Sequence, residues 1–223
     1  MDDGAEGAPV ARTSLTDAAY AAIRARVLDR RIAPGSRLTV RPLSDELGLS
    51  ATPIKAALGI LAREGLITSE LHRGFFVPVL HDRDVREIYQ LREALDAMAA
   101  ELAAADDAAD GGLISLCEAQ AGHLDRGEID EFRRADVEFH RRIWLASGNS
   151  RILRAGEPFL DQMLLSNALS VRQPGRSRQS LAEHRAVVEA IADGDAARAA
   201  AVAREHIRHS CDAYFAALAD NRG

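Results

Sequence analysis

The sequence predicts a mainly α-helical protein in which an N-terminal winged helix-turn-helix precedes an all-α bundle of six helices. Alanine-rich segments with apolar residues at helical spacing fill most of the 223 residues. Near the N-terminus, two short helix patterns around a tight turn lead into a β-hairpin pattern. We therefore expect a disordered segment at 1–13, one domain at 14–80 and a second domain at 81–223.

Charge is distributed unevenly between the two expected domains. The whole chain carries a net charge of −6, but residues 14–80 hold nine basic and six acidic side chains, whereas residues 81–223 hold 18 and 25. A basic domain joined to an acidic one is typical of a nucleic-acid-binding module on a sensor domain. The sequence has no apolar run of about 18 residues, no signal-peptide pattern at 1–12 and no CxxC pair, so we expect a cytoplasmic protein without a membrane partner.

The first three helices follow from capping residues and apolar spacing. Ser14 is followed three positions later by Asp17, the pattern of a helix N-terminus. A second helix is predicted at about 41–47, and Gly48 suits the residue that ends it. The third helix begins after Ser50. Its apolar residues predict a buried stripe, and its other face presents small or charged residues outward, namely Ala51, Thr52, Lys55 and Ala56. Two such helices around a tight turn can enter a DNA major groove.

A β-hairpin pattern follows the third helix. Residues 66–70 and 75–79 are predicted strands around a turn at 71–74, where Gly74 supplies backbone freedom. His72 and Arg73 at the tip of this wing are placed to reach a minor groove or a phosphate. A small α/β domain that binds protein is the alternative interpretation of this region.

Residues 15–79 resemble the winged helix-turn-helix domain of the GntR family of bacterial transcription regulators. The resemblance rests on Gly35-Ser36-Arg37-Leu38, on Leu43 to Gly48, on Ser50 to Leu58, on Glu64-Gly65-Leu66-Ile67 and on Arg73-Gly74. In that family, an arginine near the second helix and two on the third helix read the operator. Arg41 matches the first, and the other two positions hold Ala51 and Lys55. The resemblance thus implies operator contacts from Arg41, Thr52, Lys55, Arg73 and Gly74.

The second domain combines helix patterns with a small set of metal-binding residue types. Helices are predicted at 83–105, 112–126, 130–147, 150–171, 177–193 and 195–219. Asp136 and His140 are four residues apart and so share one helix face. His184 and His206 occur on two later helices. From the residues alone, the Asp136–His140 pair is either a core hydrogen bond or part of a metal site.

This second region resembles the FCD domain, the ligand-binding domain of the FadR-type GntR regulators. The resemblance rests on Asp136-Val137-Glu138-Phe139-His140, Ser147-Gly148-Asn149, Glu183-His184, and Gly194-Asp195 followed by His206. It implies that one divalent transition metal ion per chain, zinc, nickel or similar, is bound by Asp136, His140, His184 and His206. The count of six helices suggests the VanR-like branch.

The resemblance also implies an effector and a mode of action. Arg92 matches an arginine on the first FCD helix that would pair with the carboxylate of a small organic acid, although a helix salt bridge with Asp96 is an equal alternative. Asn167 is a second, weaker candidate for the effector site. Members of the family are most often repressors, and a homodimer would read a palindromic operator on double-stranded DNA.

An enzyme is the alternative from a different functional class. A metal-dependent enzyme of the helical bundle would carry an unrelated winged-helix head for protein interaction. Such an enzyme needs a general base beside the metal-bound water, but Glu138 lies roughly opposite the Asp136–His140 pair on its helix. No Ser or Cys has a suitable neighbour for nucleophilic catalysis. We therefore expect a regulator that is not an enzyme.

Overall fold

The computed structural model describes residues 14–105, 112–171 and 173–220, with the side chains of residues 158 and 166–169 excepted. Within these residues the chain forms two compact units, which divide between Val79 and Leu80. No described helix combines the length and apolar character that a membrane span requires.

The helices of the N-terminal unit begin and end close to the predicted residues. Helix α1 spans Leu15–Leu28, α2 spans Val40–Leu47 and α3 spans Ala51–Arg63. At the start of α1, the Ser14 hydroxyl accepts a hydrogen bond from the Asp17 backbone N–H at 3.0 Å, and the Asp17 carboxylate accepts one from the Ser14 backbone N–H at 3.1 Å. Gly48 ends α2 with a φ of 65°. These helix ends form where local hydrogen bonding and backbone freedom predict them.

The sheet of this unit has three short strands, of which the sequence analysis identified two. Strands β1 (Arg37–Leu38), β2 (Thr68–Glu70) and β3 (Gly74–Phe76) pair antiparallel in the order β1-β3-β2. The predicted strands at 66–70 and 75–79 were too long, because only Thr68–Glu70 of the first and Phe75 and Phe76 of the second enter the ladder. Strand β3 begins one residue earlier, at Gly74, which was predicted to lie in the turn. Strand β1 was missed because two residues carry no alternation of apolar and polar side chains.

The C-terminal unit is all-α. Its helices in the described residues are α4 Asp82–Ala104, α5 Leu113–Asp125, α6 Ile129–Ala146, α7 Ser150–Gly156, α8 Leu160–Ser170, α9 Arg176–Ala192 and α10 Ala196–Asp220. Helix α10 packs against α4, α8 and α9, whereas α6 packs against α4, α5 and α8. Residues from α4, α5, α6, α9 and α10 therefore reach a common interior.

The described part of this unit has seven α-helices, not six. The predicted helix at 150–171 is divided by a 3₁₀ turn at Glu157–Phe159 into α7 and α8. Pro158 lies in this turn and has no backbone N–H to donate to an α-helix. Gly156 lies against Trp144, and a Cβ atom there would be 2.3 Å from Trp144 Cζ3. Because the VanR-like assignment rested on a count of six, that branch remains a prediction.

Candidate metal centre and nucleic-acid interface

Three buried imidazoles from three helices converge inside the C-terminal unit. We call His140 on α6, His184 on α9 and His206 on α10 the histidine triad; one ring nitrogen from each lies within 4.8 Å of the others. The Nε2 atoms of His184 and His206 are 3.2 Å apart, and those of His206 and His140 are 3.3 Å apart. Each side chain is at most 3% exposed, so the three imidazoles are shielded from bulk solvent.

The outer nitrogen of each triad imidazole faces a different acceptor. The Nδ1 atom of His140 lies 3.3 Å from Asp96 Oδ1, that of His184 lies 2.8 Å from Gln120 Oε1, and that of His206 lies 2.7 Å from Glu183 Oε2. The amide of Gln120 is oriented by its own donation to the Ala135 carbonyl at 3.1 Å. At each of these positions the neutral form of the ring would carry its proton on Nδ1, which directs the Nε2 lone pair toward the other two rings.

Facing lone pairs are unfavourable unless a positive centre lies between them. A metal ion with nitrogen ligands at about 2.1 Å and angles between octahedral and tetrahedral separates those nitrogens by about 3.0–3.4 Å. The observed Nε2 separations of 3.2 and 3.3 Å lie in this interval. The donor set and its spacing therefore fit a first-row divalent ion.

The fourth predicted ligand, Asp136, lies at the edge of the triad. Its Oδ1 is 3.5 Å from His184 Nε2 and its Oδ2 is 4.0 Å from His140 Nε2. Ser180 donates a hydrogen bond to Asp136 Oδ1 at 3.3 Å. The three predicted histidine ligands thus converge, and the Asp136 carboxylate lies beside two of them without joining the triad.

Burial keeps the triad available for a metal. It lowers the pKa of His184 well below the ordinary value and lowers that of His206 to about 4, although Glu183 acts in the opposite direction on His206. Burial alone would raise the pKa of Glu183, but its bonds to His206 and Arg176 lower that pKa to about 2. At neutral pH, Glu183 is therefore a carboxylate and these two rings are uncharged.

Arg92 is buried beside Asp96, one turn further along α4. The guanidinium Nε is 3.9 Å from Asp96 Oδ2, too long for a hydrogen bond, and each side chain is 2% exposed. Burial opposes ionisation of Asp96, but His140, Arg92 and Trp144 lie against it and lower its pKa. The salt bridge that was the alternative role of Arg92 is therefore present as an ion pair at 3.9 Å, but no hydrogen bond joins the two side chains. The other predicted effector residue, Asn167, has its side chain outside the described residues.

Several site residues have no individual signal in the sequence. Asp96, Gln120 and Glu183 position the triad, and Arg176 donates to Glu183 Oε2 at 2.8 Å and to Ser210 at 2.8 Å. Only the adjacency of Glu183 to His184 could have identified one of them. His209, one turn after His206 on α10, bonds to Glu183 Oε1 at 2.7 Å and lies outside the triad.

In the N-terminal unit, the predicted DNA-contacting side chains stand on the outer faces of α2 and α3. Arg41, Thr52 and Lys55 are exposed, whereas Ile54, Leu58 and Leu61 of α3 are fully buried. Ser50 precedes α3 in an extended conformation, but its side chain makes no cap hydrogen bond. Packing therefore directs the polar face of α3 toward solvent, as the apolar spacing predicts.

The two predicted wing residues differ in character. Arg73 is exposed, forms an ion pair with Glu70 and lies over the Phe76 ring at 5.4 Å. Gly74 has a φ of 102°, and a Cβ atom there would lie 3.6 Å from the Arg37 guanidinium. The geometry makes Arg73 a side chain that can reach a ligand, and it makes Gly74 the first residue of β3, with a positive φ that favours glycine.

An outward-facing helix-turn-helix with a wing, followed in the chain by an all-α unit in which three buried imidazoles converge, is the arrangement of a DNA-binding regulator. The bacterial regulatory proteins of the gntR family match residues 15–77, and the FCD domain matches residues 87–209. The chain belongs to the GntR family of transcription regulators, in the group that carries an FCD domain. It is thus a DNA-binding regulator and not an enzyme, as the sequence predicted.

The matches to individual relatives cover most of the chain. An uncharacterized HTH-type transcriptional regulator in an unstable DNA locus of Streptomyces ambofaciens is 31% identical over 85% of this chain and 80% of its own. A Paenarthrobacter nicotinovorans protein named "Probable D-xylose utilization operon transcriptional repressor" is 27% identical, and the match covers 95% of this chain and 92% of that protein. The structure of Escherichia coli McbR/YncC matches with a TM-score of 0.76 at 20% identity, covering 92% of this chain and 98% of that chain, which shows the shared fold.

Proposed function

We propose that this chain is a transcription repressor whose operator binding responds to one divalent transition metal ion and to a small carboxylate effector. It would act as a homodimer on a palindromic operator in the bacterial cytoplasm. The observation that carries the proposal is the convergence of three buried Nε2 atoms whose Nδ1 partners are all acceptors. A repressor is favoured because the relative from Paenarthrobacter nicotinovorans bears that name.

The metal part of the proposal assigns each ligand. His140, His184 and His206 would hold the ion through Nε2, and Asp136, whose oxygens lie 3.5 and 4.0 Å from two of these nitrogens, would supply a fourth ligand. When bound, a zinc or nickel ion supplies a Lewis-acidic position that attracts an effector carboxylate. Asp96, Gln120 and Glu183 keep the three rings in the required tautomer and orientation.

The effector part assigns Arg92 to the carboxylate. Its guanidinium is 2% exposed, and in the described residues its Nε and Nη1 atoms have no hydrogen-bond partner. A buried cation with free donors favours an anion whose two oxygens match its planar fork. Asn167 is retained as a weaker second candidate for the effector contact; the alternative explanation is that it is an ordinary polar residue of the surface.

The DNA part assigns Arg41, Thr52 and Lys55 to the major groove and Arg73 to a phosphate or minor groove, with Gly74 shaping the wing. The exposure of the four side chains supports this assignment, since an exposed side chain can exchange contact with solvent for contact with DNA. For the effector to weaken operator binding a hundredfold, it must favour the non-binding arrangement by about 2.7 kcal/mol.

The test of the metal assignment is elemental analysis of protein purified without a histidine tag. We expect about one metal ion per chain in the parent and strong loss of metal in His140→Ala and in His184→Ala, which remove ligands from two different helices. His123→Ala is the matched control, because His123 bonds to Glu128 near the end of α5 and is not part of the triad. A parent without metal, or variants that keep it, would contradict the assignment.

The test of the regulatory assignment is operator binding measured with and without the metal and a carboxylic acid. We expect the metal-loaded chain to bind a palindromic operator with two protomers per site and to release it when a suitable acid is added. Binding that ignores both additions would leave a DNA-binding protein without the proposed response. A chain that turns over a carboxylic acid would favour the enzyme alternative.

A further inference from the structure

Arg92 and Asp96 form a buried pair of opposite charges whose nearest atoms do not hydrogen-bond. The Nε atom of Arg92 and the Oδ2 atom of Asp96 are 3.9 Å apart, and both side chains are 2% exposed. Within the described part of the chain, Arg92 Nε, Arg92 Nη1 and Asp96 Oδ2 have no hydrogen-bond partner. Buried polar atoms are nearly always paired in folded proteins, so this set of two donors and one acceptor points to a ligand.

Asp96 is held so that it does not turn toward Arg92. Its other oxygen, Oδ1, accepts a hydrogen bond from Trp144 Nε1 at 2.7 Å and lies 3.3 Å from His140 Nδ1. Arg92 in turn lies over the Tyr89 ring, with its Cζ 5.3 Å from the ring centre. Turning Asp96 toward Arg92 would break the contacts that position a triad imidazole. The unpaired atoms are therefore fixed beside each other.

These atoms specify what a ligand must bring. Arg92 requires an acceptor, and Asp96 Oδ2 requires a donor. Because the two positions are adjacent, one small molecule must carry both groups on neighbouring atoms. Resting on the proposed effector role of Arg92, we propose that the effector is a carboxylic acid with a hydrogen-bond donor on the adjacent carbon. Its carboxylate accepts from Arg92, and its hydroxyl or ammonium group donates to Asp96 Oδ2.

The proposal separates three kinds of acid. A simple acid such as acetate would satisfy Arg92 and leave Asp96 Oδ2 unpaired. A 2-hydroxy acid such as glycolate, or a 2-amino acid such as glycine, would satisfy both side chains. A site built to hydrogen-bond a ligand donor discriminates strongly against the analogue that lacks it, because the buried acceptor is then left unpaired.

The first experiment titrates the metal-loaded full-length chain with acetate, glycolate and glycine. Trp144 is the single tryptophan of the sequence and donates to Asp96, so its fluorescence reports the site, and calorimetry gives the affinity. We expect glycolate or glycine to bind at least about tenfold more tightly than acetate. The better of the two identifies the donor as hydroxyl or ammonium. Equal binding of all three acids would overturn the proposal.

Chelation of the metal could also favour glycolate, so the donor preference must be traced to Asp96. In Asp96→Asn, an amide nitrogen can replace Oδ2 while the remaining oxygen still accepts from Trp144. The preference should then fall below about twofold, with metal content measured in the same samples. Glu93→Gln is the control on α4, because Glu93 pairs with Arg204 and Arg208 on α10. A preference that persists in folded Asp96→Asn would overturn the proposal.

A second measurement keeps the test decisive if Asp96→Asn does not fold. The same three acids are titrated into the parent chain after its metal is removed with a chelator. A donor preference that survives metal removal supports Asp96 as its source, and one that disappears overturns the proposal. Failure of any carboxylic acid to bind the metal-loaded parent would instead count against the proposed effector function.

Discussion

In the N-terminal unit, the side chains proposed to contact DNA project into solvent from helices packed on apolar residues. In the C-terminal unit, the side chains proposed to bind metal and effector point inward. Lys55 on α3 is exposed and Ile54 beside it is fully buried. On α6, in contrast, His140 and Asp136 are buried with Phe139 and Trp144. Polar and apolar residues are thus segregated in one unit and mixed in the other.

Exposed and buried functional side chains respond differently to substitution. An exposed side chain loses little solvation and few neighbours when it is replaced, so its removal affects binding more than folding. A buried polar side chain belongs to a network, because every donor and acceptor needs a partner once water is excluded. We therefore expect substitutions to separate binding from stability in the N-terminal unit and to couple sites in the C-terminal unit.

The largest expected effect comes from the acceptor of His206. Glu183→Gln keeps the size of the side chain but removes the charge that bonds His206 Nδ1 at 2.7 Å and Arg176 Nη1 at 2.8 Å. We expect metal affinity to fall about 10- to 100-fold, measured by competition with a chelating dye. Glu189→Gln, an exposed acid on the same helix, should leave it unchanged. Equal affinities in parent and Glu183→Gln would show that the network does not support the metal.

The next effect tests packing rather than polarity. In Gly156→Ala, the new Cβ would lie 2.3 Å from Trp144 Cζ3, so α7 or the indole must move. We expect the free energy of unfolding of the C-terminal unit to fall by about 1–3 kcal/mol in urea denaturation. Gly59→Ala in α3 is the control, because its nearest atom would be 3.7 Å away. A Gly156→Ala variant as stable as the parent would contradict the close packing.

In the N-terminal unit, Lys55→Ala should weaken operator binding about tenfold, or about 1.4 kcal/mol, because it removes an exposed cation from the outer face of α3. Effector affinity and metal content should stay at parent values. Arg63→Ala, at the last residue of the same helix, should have less effect, since base contacts come from the beginning of a recognition helix. A parallel loss of operator and effector binding would remove Lys55 from the DNA interface.

The smallest effect concerns a local interaction. Ser14→Ala removes the hydroxyl that accepts from the Asp17 backbone N–H at 3.0 Å, and we expect about 1 kcal/mol of stability to be lost from the N-terminal unit. Ser69→Ala, on an exposed position of β2, is the control. Metal content should not change in either variant. A thermal transition of the N-terminal unit that is identical in parent and Ser14→Ala would show that the cap contributes nothing.

Sequence reasoning predicted the features that depend on interactions between residues close together in the chain. The Ser14–Asp17 capping pair, the end of α2 at Gly48 and the buried stripe of α3 each follow from spacings of three or four residues. The resemblance to known families assigned Asp136 and the three histidines to a metal; the structure brings the histidines together, with Asp136 beside two of them. The break at Glu157–Phe159 was missed, because apolar spacing continues through a 3₁₀ turn while the hydrogen bonds do not.

The order of elements and the outward face of α3 follow from the sequence, because they depend on local hydrogen bonding and apolar periodicity. The residue types suited to a metal are read from it directly. The acceptor that orients each imidazole depends on tertiary packing, since Asp96 is 44 residues from His140 and Gln120 is 64 residues from His184. Tertiary packing also leaves Arg92 Nε and Asp96 Oδ2 3.9 Å apart without a hydrogen bond between them. Such partners are selected by the packing of distant helices, for which a single sequence carries no periodic signal.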